Sequence, residues 1–405
     1  MGSKVINNLI KLESQFSARN YKPLPIVLKK GKGIYLWDVT NKQYFDFLSA
    51  YSSVNQGHCH PKIIRTLNKQ SKELTLTSRA FHNNMYPIFA EYATKLFGYD
   101  KILPMNSGVE GTETAIKIAR KWGYEKKKIP SNCAKIIFAS GNFWGRSISA
   151  ISASTNSQSK KNFGPFTPLF ENVKFNCLKS LEHKLKNPNV AAFCVEPIQG
   201  EAGVIIPDND YLKGVYNLCK KYNVLLIFDE IQVGLGRTGK LLSSYHENVK
   251  PDIIILGKAL SGGTFPISAV LANNNIMDVL KPGDHGSTYG GNPLASAIAK
   301  TALEVIVDEK LAENSLEMGK LFKENLKKIN LPWIKEIRGR GLFNAIEIDN
   351  KFHKNGEELC IELMKNGLLT KQTNDYTLRL SPPLIINEKE INQASDIIEK
   401  TCRNF

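Results

Sequence analysis

The sequence lacks any hydrophobic run long enough to cross a membrane. Its longest purely aliphatic and aromatic stretch near the middle of the chain covers residues 224–228, whereas a transmembrane helix needs about 18 or more apolar residues in a row. Residues 1–6 have neither the apolar core of a signal peptide nor the arginine-rich character of a transit peptide. These absences predict a soluble cytoplasmic protein that does not bind membranes.

Cysteine is scarce and has no pairing pattern. The chain has seven cysteines, an odd number, and no two of them have the C-x-x-C spacing. This argues against a disulfide framework and against a tetrahedral zinc site. His58, Cys59 and His60 are adjacent, but neighbouring side chains of an extended segment point in opposite directions, so we expect no metal there. A reducing compartment is the environment that this usage favours.

Arginine is scarce too, although the chain is basic. The net charge is +16, from 54 basic and 38 acidic residues, and ten of the basic residues are arginine. The lysines are spread along the chain, without the basic face and aromatic platform that nucleic-acid-binding proteins use. We therefore expect a solvated lysine-rich surface and no nucleic-acid partner. An RNA-binding module remains an alternative that rests on charge alone.

What the sequence does contain is an alternation of short apolar runs and helical stretches. With 405 residues, of which 42% are hydrophobic, the chain is long enough for two or three domains. Runs without polar alternation are typical of a parallel sheet covered on both faces, and the repeated pattern predicts an α/β fold. We expect buried strands at residues 135–139, 191–195, 224–228, 252–256 and 267–271.

The pattern changes after about residue 300. A long charged helix is predicted over 302–329, followed by short strands around 338–341 and 377–380. This indicates a second, smaller α+β domain, with which the short strands of the first fifty residues are expected to pack. We therefore predict an N-terminal segment at 1–51, a large domain with a mostly parallel sheet at 52–296, and a small domain at 297–405.

One motif suggests a dinucleotide and then fails on its context. Gly234, Gly236 and Gly239 satisfy G-x-G-x-x-G, but that fingerprint needs its first glycine directly after a strand and an acidic residue about twenty positions further on. Five residues separate the predicted strand from Gly234, and Asp252 stands at the start of the next strand instead of its end. A nicotinamide-dependent oxidoreductase is therefore only a distant alternative.

Two charged residues follow neighbouring predicted strands. Asp229 comes directly after the run at 224–228, and Lys258 follows the run at 252–256. Their 29-residue separation is about one βαβ unit, so both side chains are expected at the carboxyl edge of the sheet, where open α/β sheets bind ligands.

A third element fits the same edge. Ser107 and Glu110 have the spacing of a capping box, and Gly108 opens the helix that they would cap. A glycine at a helix N-terminus offers free amides to a phosphate group. A lysine for a Schiff base, an aspartate for a pyridine nitrogen and a phosphate site are together what pyridoxal 5′-phosphate requires, so we predict this cofactor and no metal.

The motifs extend this interpretation to most of the chain. The sequence resembles the class-III pyridoxal-phosphate-dependent aminotransferases, whose fold type I architecture we therefore expect. The resemblance is carried by SGVEGTET (107–114), GNFWGR (141–146), EPIQGEAG (196–203), FDEIQVG (228–234), LGKALSGG (256–263) and GSTYGGNP (286–293). LSAYSSVNQGHCHP (48–61) and NYKPLP (20–25) are similar to N-terminal signatures of the branch of this family that acts on L-ornithine.

The resemblance implies how the cofactor is held. Lys258 would be the Schiff-base lysine and proton shuttle, and Asp229 would pair with the pyridine nitrogen. Gln232 would donate to the ring hydroxyl, Phe143 would stack on the ring, and Trp144 would line the site. The amides of Gly108 and Val109 would bind the phosphate. A second subunit would supply two further phosphate contacts, which implies a homodimer with shared active sites: Ser287 and Thr288.

The resemblance also implies how substrates bind. Arg146, together with Tyr21, would hold the α-carboxylate of the diamino acid, and Tyr51 would line the pocket. Glu201 would pair with Arg379 while the diamino acid is bound and would release it for the α-carboxylate of 2-oxoglutarate. A terminal amine can reach Lys258 only if the carboxylate is held farther away, so a second arginine must be masked in one half-reaction and free in the other.

The implied activity is a ping-pong transamination in arginine and proline metabolism. L-Ornithine and 2-oxoglutarate would give L-glutamate 5-semialdehyde and L-glutamate. The nearest alternatives are transamination of N-acetylornithine or of 4-aminobutyrate, which the pocket residues of one sequence do not exclude.

Overall fold

The computed structural model describes residues 2–405, which form three β-sheets flanked by helices. The largest sheet has seven strands in the order β4-β10-β9-β8-β7-β5-β6. The strands are β1 Leu28–Lys32, β2 Tyr35–Asp38, β3 Gln43–Asp46, β4 Lys101–Met105, β5 Lys135–Ala139, β6 Phe170–Val173, β7 Val190–Val195, β8 Leu225–Asp229, β9 Ile253–Leu256, β10 Ser268–Ala272, β11 Ile334–Arg340, β12 Phe343–Ile348, β13 Leu368–Leu369, β14 Lys371–Asn374 and β15 Thr377–Leu380.

The large sheet confirms the predicted α/β fold with a mostly parallel sheet. Strands β6, β5, β7, β8 and β9 are parallel neighbours, whereas β10 is antiparallel to both β9 and β4. The apolar run at 267–271 therefore marks a buried strand, but its composition does not reveal its direction. The carboxyl ends of β7, β8 and β9 meet at one edge of the sheet.

Both faces of the large sheet are buried, which explains why its strands lack polar alternation. Ile136 and Phe138 of β5 belong to one hydrophobic cluster, and Ile137 and Ala139 belong to another on the opposite face. The helices are Gly2–Phe16, Pro61–Glu73, Met85–Phe97, Gly108–Glu125, Ile148–Ala153, Ser157–Lys160, Leu178–Leu185, Tyr211–Lys221, Asn274–Met277, Pro293–Asp308, Leu311–Lys327, Gly356–Lys365 and Glu388–Asn404, with 3₁₀ turns at Ser243–Glu247, Lys258–Ser261 and Asn350–Phe352.

One of the two smaller sheets joins the two ends of the chain. Strands β1, β2 and β3 form one sheet, and the short strand β13 from the C-terminal part adds to it in parallel with β3. Strands β11, β12, β15 and β14 form the other. The first fifty residues thus pair with the C-terminal region, while the boundaries at residues 51 and 296 stay a prediction.

The single long helix predicted over 302–329 is wrong. The structure has two helices there, Pro293–Asp308 and Leu311–Lys327, and Lys310 between them has a left-handed conformation with φ +52°. The break falls in a run of charged residues without glycine or proline, so the sequence gives no indication of it. Among the described residues, no helix is both long and apolar enough to span a membrane.

Candidate active site

A buried aspartate ends the central strand of the large sheet. Asp229, the last residue of β8, is 5% exposed and lines a cavity of about 150 Å³. Its Oδ1 accepts a hydrogen bond from the Ile231 amide at 3.0 Å. Burial raises the pKa of Asp229 to about 6, and the nearby charge of Lys258 opposes part of that rise. A cationic partner in the cavity would favour the ionised carboxylate.

Lys258 lines the same cavity from the next strand. It lies two residues after β9 and begins the 3₁₀ turn with a left-handed φ of +44°. Burial lowers its pKa below that of an ordinary lysine, although Glu201 and Asp229 favour its charged form. A lowered pKa increases the fraction of neutral amine, which is the nucleophilic form. The prediction that Asp229 and Lys258 share one crevice is confirmed.

The helix Gly108–Glu125 points its N-terminus at this cavity. Ser107 and Glu110 form the predicted capping box, in which the Ser107 hydroxyl accepts from the Glu110 amide and the Glu110 carboxylate accepts from the Ser107 amide. The amides of Gly108 and Val109 belong to the first helical turn, where no carbonyl of the helix can accept from them. Both residues line the cavity, so these two donors are available to a bound anion.

Phe143 and Trp144 form one wall of the cavity, in two different ways. Phe143 is 37% exposed and lies in an irregular loop after β5. Trp144 is 6% exposed and its ring stacks on Phe138 of that strand at 5.8 Å and 11°. Trp144 is therefore a core residue whose edge lines the site, while Phe143 has a ring free to contact a ligand.

Sequence reasoning overlooked a second buried carboxyl group in this cavity. Glu196 follows β7 directly, just as Asp229 ends β8, and it is 7% exposed. It accepts hydrogen bonds from the Phe143 amide at 3.1 Å and from the Gly200 amide at 3.4 Å. Burial and then the charge of Asp229 raise its pKa to about 8. Its position after a buried strand was the available clue.

A neighbouring cavity, also of about 150 Å³, shares Phe143, Trp144 and Gly145 with the first and is lined in addition by Arg146 and Glu201. The exposed guanidinium of Arg146 lies 5.7 Å from the Phe143 ring. Arg379 contacts Glu201 as well, so two positive groups lie near the cavities.

Arg379 on β15 forms an ion pair with Glu201. Its Nη1 donates to Glu201 Oε1 at 2.6 Å, and Gln232 Nε2 donates to the same oxygen at 3.2 Å. Burial would raise the pKa of Glu201, but the charge and hydrogen bond of Arg379 outweigh it and hold the pKa below its usual value. Arg379 is 1% exposed, and its Nε and Nη2 have no hydrogen-bond partner. Two buried donors are thus free for a further carboxylate.

The guanidinium carbon of Arg379 lies over the Tyr51 ring, 5.0 Å from the ring centroid. Tyr51 belongs to a turn of left-handed helix, Ser49–Ser52, whose φ angles run from +44° to +73°. Such a conformation costs roughly 1–2 kcal/mol per residue for L-amino acids other than glycine. Burial and the charge of Glu201 raise the pKa of the Tyr51 phenol. Tyr21, 77% exposed, lies close enough to Tyr51 to affect its titration.

The remaining predicted residues, Ser287 and Thr288, do not line either cavity of their own chain. Ser287 Oγ accepts hydrogen bonds from Asn106 Nδ2 at 2.9 Å and from the Gly290 amide at 2.8 Å. Thr288 and the adjacent Tyr289 are exposed.

The glycine motif at 234–239 has a structural role instead of a nucleotide site. It forms a loop of turns that opens no helix, and the buried Arg237 within it donates to the carbonyls of Leu342 and Pro382 at 3.0 and 2.6 Å. The loop therefore connects the large sheet to the C-terminal region. No cluster of three or more His, Cys, Asp or Glu suited to a metal ion occurs within residues 2–405.

Comparison with known proteins agrees with this geometry. The family model for class-III aminotransferases matches residues 16–402, which is nearly the whole chain. The chain belongs to this family. It is 57% identical to an ornithine aminotransferase of Drosophila melanogaster, named as mitochondrial, over 96% of this chain and 90% of that protein.

Solved structures of class-III aminotransferases superpose on nearly the whole chain. The crystal structure of ornithine aminotransferase from Toxoplasma gondii superposes with a TM-score of 0.97 at 48% identity, covering 98% of this chain and 95% of that one. An acetylornithine aminotransferase from Elizabethkingia anophelis superposes with a TM-score of 0.90 at 49% identity, covering 99% of each chain. Together with the family match, these superpositions identify the large-sheet architecture as the PLP fold type I expected of class-III aminotransferases.

Class-III aminotransferases use pyridoxal 5′-phosphate, and the cavity fits that group. An added Cβ at Gly145 would lie 2.7 Å from Val109, and one at Gly108 would lie 3.1 Å from Ile231, so glycine lets the backbone pack against these two cavity-lining residues. The same cavity is lined by free amides for a phosphate, a buried carboxylate for a ring nitrogen and a buried lysine for a carbonyl carbon.

Proposed function

We propose that this class-III aminotransferase transfers the δ-amino group of L-ornithine to 2-oxoglutarate, giving L-glutamate 5-semialdehyde and L-glutamate. The observation that supports this most strongly is the Arg379–Glu201 ion pair beside the cavity that contains Lys258. An enzyme that accepts a diamino acid and a dicarboxylate in turn needs one arginine that can be masked. Relatives named ornithine aminotransferase, more than half identical over nearly the full length, support the same activity.

The cofactor contacts follow from the residues that line the cavity. When bound, pyridoxal phosphate supplies the electron sink that stabilises negative charge at the carbon losing its proton. The Gly108 and Val109 amides would hold its phosphate, and Phe143 would lie against its ring. Asp229 would pair with the protonated ring nitrogen, because a buried carboxylate favours a neighbouring cation.

Lys258 would move the proton between substrate carbon atoms and the cofactor. Burial lowers its pKa and so raises the fraction of neutral amine, the form that can accept a proton. Glu196 lines the same cavity and would hold the Phe143 loop through the backbone amide that it accepts from. Gln232, which contacts Glu201, would also reach the ring hydroxyl.

The two arginines divide the substrate specificity between them. In the ornithine half-reaction, Glu201 neutralises Arg379, so the α-carboxylate would bind Arg146 near Tyr21 and the δ-amine would reach Lys258. In the second half-reaction, the α-carboxylate of 2-oxoglutarate would replace Glu201 on Arg379 and use the buried Nε and Nη2 donors. The distal carboxylate would then bind Arg146.

The test is a pair of single-turnover reactions. The purified protein, loaded with pyridoxal phosphate, is mixed separately with L-ornithine, N-acetylornithine and 4-aminobutyrate, and its visible absorption is recorded. Bleaching by ornithine alone, followed by recovery with 2-oxoglutarate, is the expected result. Bleaching only by another amine would reject the ornithine assignment, and a protein that never becomes coloured would reject the cofactor.

N-Acetylornithine is the second candidate, because one structural neighbour with that activity in its name is 49% identical to this chain. The same neighbour covers 99% of this chain, so overall similarity does not separate the two substrates. N-Acetylornithine carries a neutral acetamide where ornithine carries a cationic α-amine. It would therefore need more space near Arg146. The amine panel above distinguishes the two directly, as it does for 4-aminobutyrate.

We also propose a homodimer in which Ser287 and Thr288 of one subunit complete the phosphate site of the other. In their own chain these residues line neither cavity, and Thr288 and Tyr289 are exposed. Thr288→Ala should weaken pyridoxal phosphate binding, and sedimentation should give twice the chain mass. A monomer with full cofactor affinity would contradict the proposal.

The proposed reaction belongs to arginine and proline metabolism, and we propose that it takes place in the cytoplasm. All seven cysteines are free, as a reducing compartment favours. The Drosophila melanogaster relative is named as mitochondrial, so fractionation of the source cells decides the location. For the domains we retain the division at residues 51 and 296, to be checked by limited proteolysis.

A further inference from the structure

The left-handed turn Ser49–Ser52 is held in an unfavourable conformation by specific contacts. None of its four residues is glycine, although all have positive φ. Ser49 and Ser52 are buried, while Ala50 and Tyr51 face outward. Sustained left-handed backbone of this kind persists only where the surrounding structure enforces it, and it concentrates at functional sites.

Asp46 is the main brace of this turn. Its Oδ1 accepts hydrogen bonds from the amides of both Leu48 and Ser49 at 2.8 Å. Its Oδ2 lies 2.7 Å from His58 Nε2, which fixes the carboxylate from the other side. Asp46 is 2% exposed, so these bonds are shielded from water.

Ser49 ties the turn to the segment that carries the substrate arginine. Its Oγ donates to the Ser381 carbonyl at 2.6 Å, and Ser381 lies two residues after Arg379. The carbonyl of Tyr51 accepts from Gln232 Nε2 at 3.4 Å. The turn is therefore connected to Ser381, which directly follows the Arg379 strand, and to Gln232, which contacts Glu201.

We propose that Asp46 and Ser49 are positioning residues which hold Tyr51 over Arg379, and that this cover lowers access to Arg379 during the amine-donor half-reaction. The proposal rests on the substrate roles given above to Tyr51 and Arg379. Glu201 occupies one donor of Arg379, but Nε and Nη2 remain free. A fixed aromatic ring 5.0 Å from the guanidinium carbon narrows the space through which a competing carboxylate reaches those donors.

The handedness of the turn is what places the ring there. A right-handed turn over the same residues would direct the Tyr51 side chain away from its present position, since the direction of Cβ follows the backbone twist. Removing the brace lets the strained residues relax to ordinary conformations. Tyr51 would then leave the guanidinium, and Arg379 would become accessible at the wrong stage of the cycle.

Ping-pong kinetics test this, because kcat/KM for each substrate reports only its own half-reaction. Ser49→Ala and Asp46→Ala should lower the ratio of kcat/KM for L-ornithine to kcat/KM for 2-oxoglutarate by roughly tenfold, the scale of a displaced positioning group, because the uncovered donors of Arg379 bind the 2-oxoglutarate α-carboxylate more readily. Asp46→Asn keeps an oxygen acceptor for both amides and should restore most of the loss. An equal fall for both substrates, or no change for either, would overturn the proposal.

The strain itself is tested by thermal denaturation. Ala50→Gly should raise Tm because glycine adopts positive φ without steric cost, whereas the matched control Ala80→Gly should lower it. A fall in Tm for both would show that the turn is unstrained.

If Asp46→Ala does not fold, Ser49→Ala carries the kinetic test alone, since it deletes one hydroxyl. If the wild type accepts a different amine, the ornithine assignment fails and the same comparison is made with that amine.

Discussion

Arg379 gives Glu201 only one of its hydrogen-bond donors. Nη1 donates to Glu201 Oε1 at 2.6 Å, while Nε and Nη2 are buried without a partner. The charges of the pair therefore cancel, but two donors of Arg379 still lack an acceptor. Breaking such a pair by removing one member is costly, because the other charge stays buried. A carboxylate that offers two oxygens can replace Glu201 at a lower cost than a neutral ligand could.

Glu201→Ala should change which amine of ornithine reacts. Without its partner, Arg379 would bind the α-carboxylate and bring the α-amine to Lys258. A charged hydrogen bond between Arg379 and the α-carboxylate is worth about 1.5–3 kcal/mol, so the ratio of δ-transfer to α-transfer should fall by roughly ten- to a hundredfold. Product analysis by NMR measures the ratio of the aldehyde formed by δ-transfer to the 2-oxo acid formed by α-transfer. Unchanged regiochemistry would reject the masking role, and Glu182→Ala, on the surface, is the matched control.

Lys258→Ala should abolish turnover while leaving the fold intact. Removing a positioned acid–base group costs about a hundred- to ten-thousandfold, and loss of the covalent attachment adds to this. Borohydride reduction of the wild type followed by mass spectrometry should place the cofactor mass on the peptide that contains Lys258. Lys250→Ala, which removes a lysine that contacts the Gly98 carbonyl, should leave both results unchanged. A label on any other lysine would contradict the assignment.

Arg379→Lys should separate the two substrates. A lysine retains the charge but loses the planar fork that binds a carboxylate through two parallel hydrogen bonds. We expect KM for 2-oxoglutarate to rise by about tenfold or more, with a smaller effect on L-ornithine, which does not use Arg379. Steady-state kinetics with each substrate varied in turn give both values. Equal effects on the two substrates would show that Arg379 does not exchange Glu201 for the 2-oxoglutarate carboxylate.

The raised pKa of Glu196 predicts an unusual pH dependence of stability for the cofactor-free protein. Its folded pKa of about 8 lies above its ordinary value of 4.5, so the folded chain keeps a proton that the unfolded chain releases. Stability should therefore fall as pH rises from about 4.5 to about 8, and Asp229 adds to the lower part of this range with a pKa of about 6.

Glu196→Gln removes one of these titrating groups and should flatten the curve. Urea denaturation of the cofactor-free wild type and variant, measured between pH 5 and pH 9, provides the comparison. The control is Glu182→Gln, at an exposed ion pair with Lys221. Parallel curves for wild type and Glu196→Gln would show that Glu196 is ionised throughout.

Most of the large sheet could be predicted from the sequence because its strands are buried on both faces. The runs at β5, β7, β8 and β9 are continuous and apolar, and each matches its predicted position within one residue. Strands β4 and β6 were missed, since Pro104 interrupts one and Glu171 and Asn172 lie within the other. The antiparallel direction of β10 depends on chain connectivity, which local composition does not encode.

The site shows the same division between local and distant causes. Asp229 and Lys258 could be predicted because each follows a recognisable strand. Tyr51 and Arg379 are brought together by contacts between the two ends of the chain, so only the family resemblance pointed to them. The left-handed conformation at Tyr51 could not be predicted at all, because the segment contains no glycine to indicate it.

The hydrogen bond between Ser49 and Ser381 joins positions 332 residues apart. A ribosome releases the N-terminal partner long before the C-terminal one, so the strained turn has no brace from Ser381 for most of synthesis. Contacts this distant in sequence form late, since the loop must close before they can contribute. The residues that line the cofactor cavity between β7 and β9 are therefore synthesised before the strand that carries Arg379. The contacts of Arg379 with Tyr51 and Glu201 become possible only once the C-terminal part of the chain has been made.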